Sequence, residues 1–388
     1  MIDAHHHLWD LSAREHRWLM GGQSWASDEE LARLRRSFGL ADLEPLAAAS
    51  GVTGTVVIQT VAEPWETPDL LTLAAGGDPY GGRGSPGGGG SFARGGSFGG
   101  LLAGVVGWTD LTAPDVAEAV AGLRARPDGA FLCGIRHPVL AEPDPGWLAR
   151  PLVLRGLGAL AGSGLCFDVV AAPHQLAGVV VAARSVPGLT FVLDHLGSPP
   201  VGSGPPGLWA DAIAELGALP NVVCKLSGAH SSAALADEAL ADDLRPYYEI
   251  VLAAFGPSRL MFGSDWPVSS LAAPYADVCA LYRELVADLS PAEQDAIFSG
   301  TARRVYGLRL PGGELIVDCC YPLSSDVALR SRLSVPVCHV AIRAYASGGA
   351  RVPLASSIGP RVPPASSDER GVTSRGRRSA GRGGGCRG

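Results

Sequence analysis

The stretch that decides the fold is MIDAHHHLW, residues 1–9. A short apolar run, Met1–Ala4, leads directly into His5, His6 and His7. A doubly wound open sheet usually carries a glycine-rich turn after its first strand, whereas this first predicted strand ends in three imidazoles. In a (β/α)8 barrel the chemically active groups stand at the carboxyl ends of the strands, so this stretch favours a barrel.

Seven more short runs of β-branched and apolar residues follow, separated by Ala/Leu-rich amphipathic segments. The eight predicted strands are Met1–Ala4, Thr55–Gln59, Ala103–Trp108, Phe131–Arg136, Leu165–Val170, Thr190–Asp194, Asn221–Leu226 and Leu260–Ser264. The predicted helices are Leu40–Ala49, Pro114–Ala125, Arg150–Ala161, Gln175–Ala183, Trp209–Leu219, Asp242–Ala254, Tyr275–Ala287 and Pro291–Tyr306. Eight βα units predict an α/β fold, a closed (β/α)8 TIM barrel, with an open doubly wound sheet as the runner-up.

Glycine divides the 388-residue chain into a body and two additions. Of 52 glycines, 13 lie in residues 76–100 and 12 in residues 311–388. The first segment cannot bury enough apolar surface to offset the entropy lost on ordering. The second shows no sustained hydrophobic period and ends in an Arg/Gly-rich stretch. We therefore expect a disordered Gly-rich insert at 76–100 and a disordered Arg/Gly-rich tail at 311–388. Residues 1–310 form the predicted barrel domain.

The sign of the net charge also changes at residue 311, where the tail begins. Residues 311–388 hold 11 arginines and 5 acidic residues, so the net charge of −7 is +6 in the tail and −13 before it. An acidic body argues against a nucleic-acid partner. The N-terminus lacks a signal segment, and the apolar run Leu176–Ala183 is far too short to cross a bilayer. We expect a cytoplasmic protein without membrane contact, and self-association into a homo-oligomer stays open.

Ionisable side chains end five of the predicted strands. They are His5-His6-His7, Arg136-His137, Asp194-His195, Lys225 and Asp265-Trp266. Residues two apart in an extended segment point the same way, so His5 and His7 face the barrel mouth and His6 points away. With His195 and Asp265 they form a three-nitrogen, one-oxygen set that suits one divalent cation and a water. The same groups could work without metal, with Asp265 as general base and the histidines as oxyanion donors.

Other polar residues near strand ends are candidates for substrate contact. Lys225 is the only lysine beside 30 arginines, and it would either bind a substrate oxygen or form a structural ion pair. Arg136 would clamp a carboxylate or a pair of hydroxyls, with a structural bridge as the alternative. The weaker candidates are Gln59, Trp108, His137 and His174. We assign His16 and His230 to the surface.

Five motifs resemble those of the amidohydrolase superfamily. They are IDAHHHLW (2–9), GIRHP (134–138), VLDHLG (192–197), CKLSG (224–228) and MFGSDWP (261–267). They occur in this order between residues 1 and 308 and look most like the group of sugar-lactone and pyrone-dicarboxylate lactonases. The resemblance implies a distorted TIM barrel that hydrolyses a small lactone, with His5, His7, His195 and Asp265 as the core of its site.

The resemblance also implies a mechanism. Asp265 would deprotonate a water and return the proton to the leaving alkoxide, while the histidines or a metal polarise the lactone carbonyl. Members of the group use one divalent cation or none, which implies zinc, manganese or no metal here. Binuclear relatives keep a carbamylated lysine on the fourth strand, and this chain has none there. The alternatives are a metal-dependent, non-oxidative decarboxylase of an aromatic or unsaturated acid, and an inactive barrel.

Overall fold

The computed structural model describes residues 1–23, 25–79, 100–202, 206–228 and 240–308. Most of the predicted insert at 76–100, all of the predicted tail at 311–388, and His230 lie outside the described residues. The boundary of the barrel domain at residue 310 therefore stays a prediction.

Eight parallel strands form one sheet and follow one another in chain order. They are β1 (Ile2–His6), β2 (Gly54–Ile58), β3 (Leu102–Gly107), β4 (Leu132–His137), β5 (Cys166–Val169), β6 (Phe191–Leu193), β7 (Val222–Leu226) and β8 (Leu260–Phe262). Their residues are nearly all buried, as expected of parallel strands with both faces covered. Each strand overlaps its predicted run, so the prediction of eight βα units is confirmed.

The sheet closes on itself just beyond the end of β8. Asp265 donates its backbone N–H to the carbonyl of His5 at 2.7 Å, and His7 donates to the carbonyl of Trp266 at 2.7 Å. The fold is therefore the predicted (β/α)8 barrel rather than an open sheet. The seam of the barrel carries His5, His7 and Asp265, so the contact that closes the fold also brings these candidate residues together.

Eleven α-helices lie in the described ranges. They are α1 (Asp28–Arg33), α2 (Leu40–Ala49), α3 (Glu66–Ala74), α4 (Val116–Arg124), α5 (Pro151–Ala161), α6 (Leu176–Ser185), α7 (Gly207–Gly217), α8 (Leu240–Phe255), α9 (Tyr275–Leu285), α10 (Pro291–Asp295) and α11 (Thr301–Tyr306). A π-helical turn, Ala296–Gly300, joins α10 to α11. Within these ranges, no helix combines the length and the apolar character that a membrane span requires.

Two helices, α1 and α3, fall outside the predicted set. The first has only six residues, too few to show a helical period. The second carries Pro68 in its first turn, where proline fits a helix but also resembles a turn signal.

The helix α11 packs against the end of the barrel where the strands begin. Cys166, the first residue of β5, donates its thiol to the carbonyl of Val305 at 3.1 Å. Ala302 and Tyr306 join the buried cluster formed by inward-facing strand residues such as Ile2 and Val223. The candidate site lies at the opposite end, where the strands finish.

Candidate active site

The centre of the site is a set of three side-chain atoms from His5, His7 and Asp265. The Nε2 atoms of His5 and His7 are 3.3 Å apart, and Asp265 Oδ1 lies 3.6 Å from the first and 3.4 Å from the second. The two histidines point the same way, as predicted. His6 points elsewhere, and its Nε2 lies 3.0 Å from Thr55 Oγ1.

His195 stands beside this set. One ligand atom from each of His5, His195 and Asp265 lies within 4.8 Å of the others. The φ angles of His195 and Asp265 are 56° and 59°, in the left-handed region that non-glycine residues seldom adopt. Backbone strain of this kind is retained mainly where function requires it.

The second ring nitrogen of each histidine has its own partner. The pairs are His5 Nδ1 with Asp194 Oδ1 at 3.3 Å, His7 Nδ1 with Ile58 O at 2.9 Å, and His195 Nδ1 with Ser227 Oγ at 2.9 Å. A carbonyl oxygen can only accept, so His7 carries its proton on Nδ1. His5 Nδ1 faces both the Asp194 carboxylate and, at 3.2 Å, the ammonium of Lys225. The Nε2 lone pair of His7 then faces the site, which is the tautomer that a metal ligand needs.

Burial sets the charge state of these groups. It lowers the pKa of His5 well below its ordinary value and also lowers the pKa of His195. For Asp265, burial acts to raise the pKa, but the neighbouring imidazoles, His195 foremost, outweigh it and bring the pKa below its ordinary value. At neutral pH His5 and His195 are therefore neutral imidazoles beside a carboxylate, a combination that binds a cation.

The spacing of the donor atoms fits a zinc ion. In a tetrahedral site with metal–ligand distances of about 2.0–2.1 Å, neighbouring ligand atoms lie about 3.3 Å apart. The three separations among His5, His7 and Asp265 are 3.3, 3.4 and 3.6 Å. Three protein ligands with an adjacent open position are typical of catalytic zinc.

A buried ion pair lies beneath His5. Lys225 Nζ is 2.6 Å from Asp168 Oδ2 and 3.1 Å from Asp194 Oδ1, and all three side chains are fully buried. Its third neighbour is His5 Nδ1 at 3.2 Å. Burial favours the neutral amine, but the two carboxylates outweigh it and raise the pKa of Lys225. The ammonium is therefore enclosed by protein groups, as in the structural ion-pair alternative.

Arg136 reaches the centre of the site from the end of β4. Its Nη1 lies 3.2 Å from His5 Nε2 and 3.5 Å from Asp194 Oδ2. Gln59, which is 1% exposed, stands behind it and donates to the carbonyl of Arg136 at 3.4 Å. Of these two predicted contact residues, the structure brings only Arg136 to the site and gives Gln59 a supporting place.

The other two predicted contact residues, Trp108 and His137, contact each other. Trp108 donates Nε1–H to His137 Nδ1 at 3.3 Å, and His137 Nε2 donates to Glu142 Oε1 at 2.7 Å. The His137 ring also stacks on Trp147 with centroids 4.1 Å apart. Both nitrogens of His137 are engaged by protein groups, so the structure does not place a free imidazole nitrogen here for substrate.

The assignment of His16 to the surface is wrong. It is 2% exposed, and its ring centroid lies 6.2 Å from that of Trp9 and 6.1 Å from that of Trp65. The physical reason is that the long segment after β1 folds back, so aromatic rings cover the imidazole. Burial lowers its pKa, as expected of a neutral imidazole among aromatic groups.

The sequence interpretation missed two buried carboxylates that support the site. Asp3 accepts hydrogen bonds from Ser264 Oγ at 2.6 Å, Ser264 N at 2.8 Å and Tyr275 OH at 3.0 Å. It thereby fixes β1 to the residue before Asp265. Asp168 pairs with Lys225 as described. An acidic residue inside an apolar strand needs a partner, and this signal was present at both positions.

The barrel has imidazoles near the ends of its first and sixth strands and a carboxylate after its eighth strand. This layout is typical of a barrel hydrolase. The family model described as "Amidohydrolase" matches residues 99–308. The L-fucono-1,5-lactonase of Burkholderia ambifaria is 34% identical over 317 residues, which cover 81% of this chain and 97% of that protein. The L-fucono-1,5-lactonase of Burkholderia multivorans is 35% identical over 324 residues, with 80% and 97% covered.

A solved amidohydrolase structure is also similar to this chain. An amidohydrolase from Burkholderia multivorans, crystallised with bound Zn, is 33% identical and superimposes with a TM-score of 0.67. The match covers 79% of this chain and 99% of that one. The chain belongs to the amidohydrolase family, as the five motifs indicate.

Proposed function

We propose that this protein is a lactonase that opens the ring of a sugar-acid lactone, with a six-membered 1,5-lactone as the first candidate. The observation that carries the proposal is the donor set of His5, His7 and Asp265, whose atoms are spaced 3.3–3.6 Å apart. The names of the two relatives at 34% and 35% identity, both L-fucono-1,5-lactonases, support the choice of a sugar lactone.

We assign one divalent cation to His5, His7 and Asp265, with His195 beside it. Two or three imidazoles and one carboxylate suit zinc better than manganese, which prefers oxygen ligands. Such an ion, when bound, polarises a carbonyl and lowers the pKa of a coordinated water to about 7. The Zn-bound relative from Burkholderia multivorans supports this assignment.

The protein groups would divide the proton transfers and the orientation between them. Asp265 Oδ1 faces His5 and His7, which leaves Oδ2 to accept the proton of the attacking water. Water adds at the lactone carbonyl, the acyl–oxygen bond of the ring breaks, and Asp265 returns the proton to the departing ring oxygen. The product is one open hydroxy acid. Arg136 stands where its guanidinium can orient the carbonyl or a hydroxyl group.

The test is acid release from a panel of 1,5- and 1,4-aldonolactones, beginning with L-fucono-1,5-lactone, followed with a pH indicator. We expect a kcat/KM of about 10⁴ M⁻¹s⁻¹ or more, the lower end of the usual enzyme range. Carbon dioxide release from aromatic acids is measured in parallel. Carbon dioxide release without lactone opening would replace the proposal with a decarboxylase, and no turnover in either assay would indicate an inactive barrel.

The metal assignment has its own test. We expect about one equivalent of zinc by mass spectrometry of the purified protein, loss of activity on chelation, and recovery when zinc is returned. Full activity in metal-free protein would remove the metal from the mechanism and leave lactone hydrolysis by Asp265 and the histidines alone.

A further inference from the structure

A partly exposed tryptophan stands at the mouth of the barrel beside Arg136. Gly107 of β3 pairs with Ile135 of β4. The next residues along the two strands, Trp108 and Arg136, are therefore level with each other. Val106, two residues before Trp108, belongs to the cluster inside the barrel. Side chains alternate along a strand, so Trp108 lies on the same inward face, just beyond the end of β3.

The side chain of Arg136 shows where this inward face leads. A Cβ added at Gly134, two residues before Arg136 on β4, would lie 3.4 Å from Asp168 Oδ1 of the buried ion pair, so Gly134 faces the barrel interior. Arg136 follows on the same face, and its Nη1 lies 3.2 Å from His5 Nε2. Because Trp108 is level with Arg136 on the neighbouring strand, it borders the space around the centre of the site.

Every hydrogen-bonding group of Trp108 has a protein partner. Its backbone N–H donates to Thr67 Oγ1 at 2.7 Å, and the Thr67 hydroxyl donates to the Trp108 carbonyl at 3.0 Å. Its indole N–H donates to His137 Nδ1 at 3.3 Å. Thr67 lies in α3 and His137 ends β4, so two separate elements of the fold hold this tryptophan.

His137, which holds the indole, is itself fixed in place. Its Nε2 lies 2.7 Å from Glu142 Oε1, and its ring stacks on Trp147 with centroids 4.1 Å apart and planes 11° apart. His137 and Trp147 are buried, whereas Trp108 is partly exposed. A partly exposed ring whose rotamer is fixed by buried neighbours is the arrangement that a preorganised binding residue needs.

We propose that Trp108 is a specificity-determining residue that packs its indole ring against the C–H groups of the lactone, while Arg136 contacts the oxygen atoms. This inference rests on the proposed function for the identity of the ligand. Because the indole N–H is bonded to His137, the ring offers a substrate only aromatic carbon. Aromatic carbon favours C–H and methyl groups over hydroxyl groups, which would lose water without gaining a hydrogen-bond partner. The substrate class is therefore a sugar lactone with an apolar face, such as a 6-deoxy-sugar lactone.

The experiment compares full-length wild type with Trp108→Ala, Trp108→Phe and the control Trp25→Ala. Trp25 is also partly exposed, and its indole N–H is bonded to Gln23 Oε1 at 3.2 Å. The constants kcat and KM are measured for L-fucono-1,5-lactone and for L-galactono-1,5-lactone, which differs only by a hydroxyl group on C6. In a second measurement, protein labelled with ¹⁵N-tryptophan is titrated with L-fucono-1,5-lactone and with L-fuconate, and the indole ¹H–¹⁵N signal that Trp108→Phe removes is followed.

We expect Trp108→Ala to raise the KM for L-fucono-1,5-lactone about 10-fold with kcat nearly unchanged, because a packing contact binds substrate and transition state alike. Trp108→Phe keeps an aromatic face, so its KM should lie between those of wild type and Trp108→Ala. Trp25→Ala should match wild type. The preference for the methyl over the hydroxymethyl lactone, as a ratio of kcat/KM, should shrink at least about threefold in Trp108→Ala.

The NMR titration decides the inference independently of turnover. Wild-type protein that opens no lactone would reject the proposed function, whereas this inference still predicts a shift of the Trp108 indole signal on ligand addition. No shift with either L-fucono-1,5-lactone or L-fuconate would overturn the inference. An unchanged KM and an unchanged lactone preference in folded Trp108→Ala would overturn it as well.

Discussion

Replacement of Gly228 by alanine should disable the site through a single steric contact. Gly228 follows Ser227 at the end of β7 with φ +62°, and an added Cβ would lie 2.2 Å from His195 Nδ1 and 2.4 Å from Cγ. Real Cβ contacts essentially never fall below 3.0 Å, so the ring must move by at least the difference between 3.0 and 2.2 Å, which is 0.8 Å. A displacement of about 1 Å in a catalytic arrangement can cost about 100-fold in rate, and we expect that loss in kcat/KM.

Gly256→Ala separates this clash from backbone strain. Gly256 has φ +67°, and no atom lies within 4 Å of the Cβ that alanine would add. Both substitutions place a side chain in the left-handed region, at about 1–2 kcal/mol each. We expect similar decreases in thermal stability but unchanged kcat/KM in Gly256→Ala, by the lactone assay. If folded Gly228→Ala keeps kcat/KM within threefold of Gly256→Ala, the assignment of His195 to the site is wrong.

Two further substitutions test the charge and hydrogen-bond assignments. Burial raises the pKa of Glu66 from 4.5 to about 7, so its contribution to stability is present below pH 4.5 and is lost as the pH rises through 7. The glutamine of Glu66→Gln does not titrate. Between pH 4.5 and 8, the free energy of unfolding of this variant, measured in urea, should therefore rise by about 3 kcal/mol relative to that of wild type. A difference between the two proteins that stays constant with pH would contradict the pKa shift. Ser227→Ala removes the 2.9 Å partner of His195 Nδ1 and should weaken zinc binding or activity about 10-fold. Ser185→Ala, which removes a hydroxyl bonded to Val181 O on the exposed side of α6, is its control. Equal zinc affinity and activity in the two variants would show that the His195 contact is unimportant.

The barrel could be predicted because its signals are local. Each strand is a short apolar run, and the run Met1–Ala4 leads into histidines where a nucleotide-binding sheet would have glycines. The alternation of side chains along an extended segment also predicts that His5 and His7 face together and His6 does not. These features depend only on neighbours in the sequence, so they can be predicted without knowledge of the fold.

The role of Lys225 could not be decided in that way. It stands one residue before the end of β7, and the question is whether its side chain faces the mouth or the interior. Val223, two residues earlier on the same face, belongs to the interior cluster, which puts Lys225 inside as well. Its partner Asp168 is 57 residues away in sequence, so no local pattern connects the two.

The surroundings of His16 and His137 also depend on contacts with residues outside their own strands and turns. His16 is covered by Trp9 and Trp65, which come from two different loops. His137 stands at a strand end, as catalytic groups do, but Glu142 and Trp108 occupy its two nitrogens. A strand-end position predicts that a residue is near the mouth, and it does not predict which of its atoms are free.

The most direct test of the whole account is the kcat/KM of zinc-loaded Asp265→Asn for L-fucono-1,5-lactone, relative to zinc-loaded wild type. Asparagine keeps the shape of the side chain but cannot take a proton from water. General acid–base catalysis is worth about 10²–10⁴-fold, so we predict a loss of about 1,000-fold in protein with unchanged thermal stability. A rate within threefold of wild type would contradict the assignment of Asp265 and, with it, the proposed site.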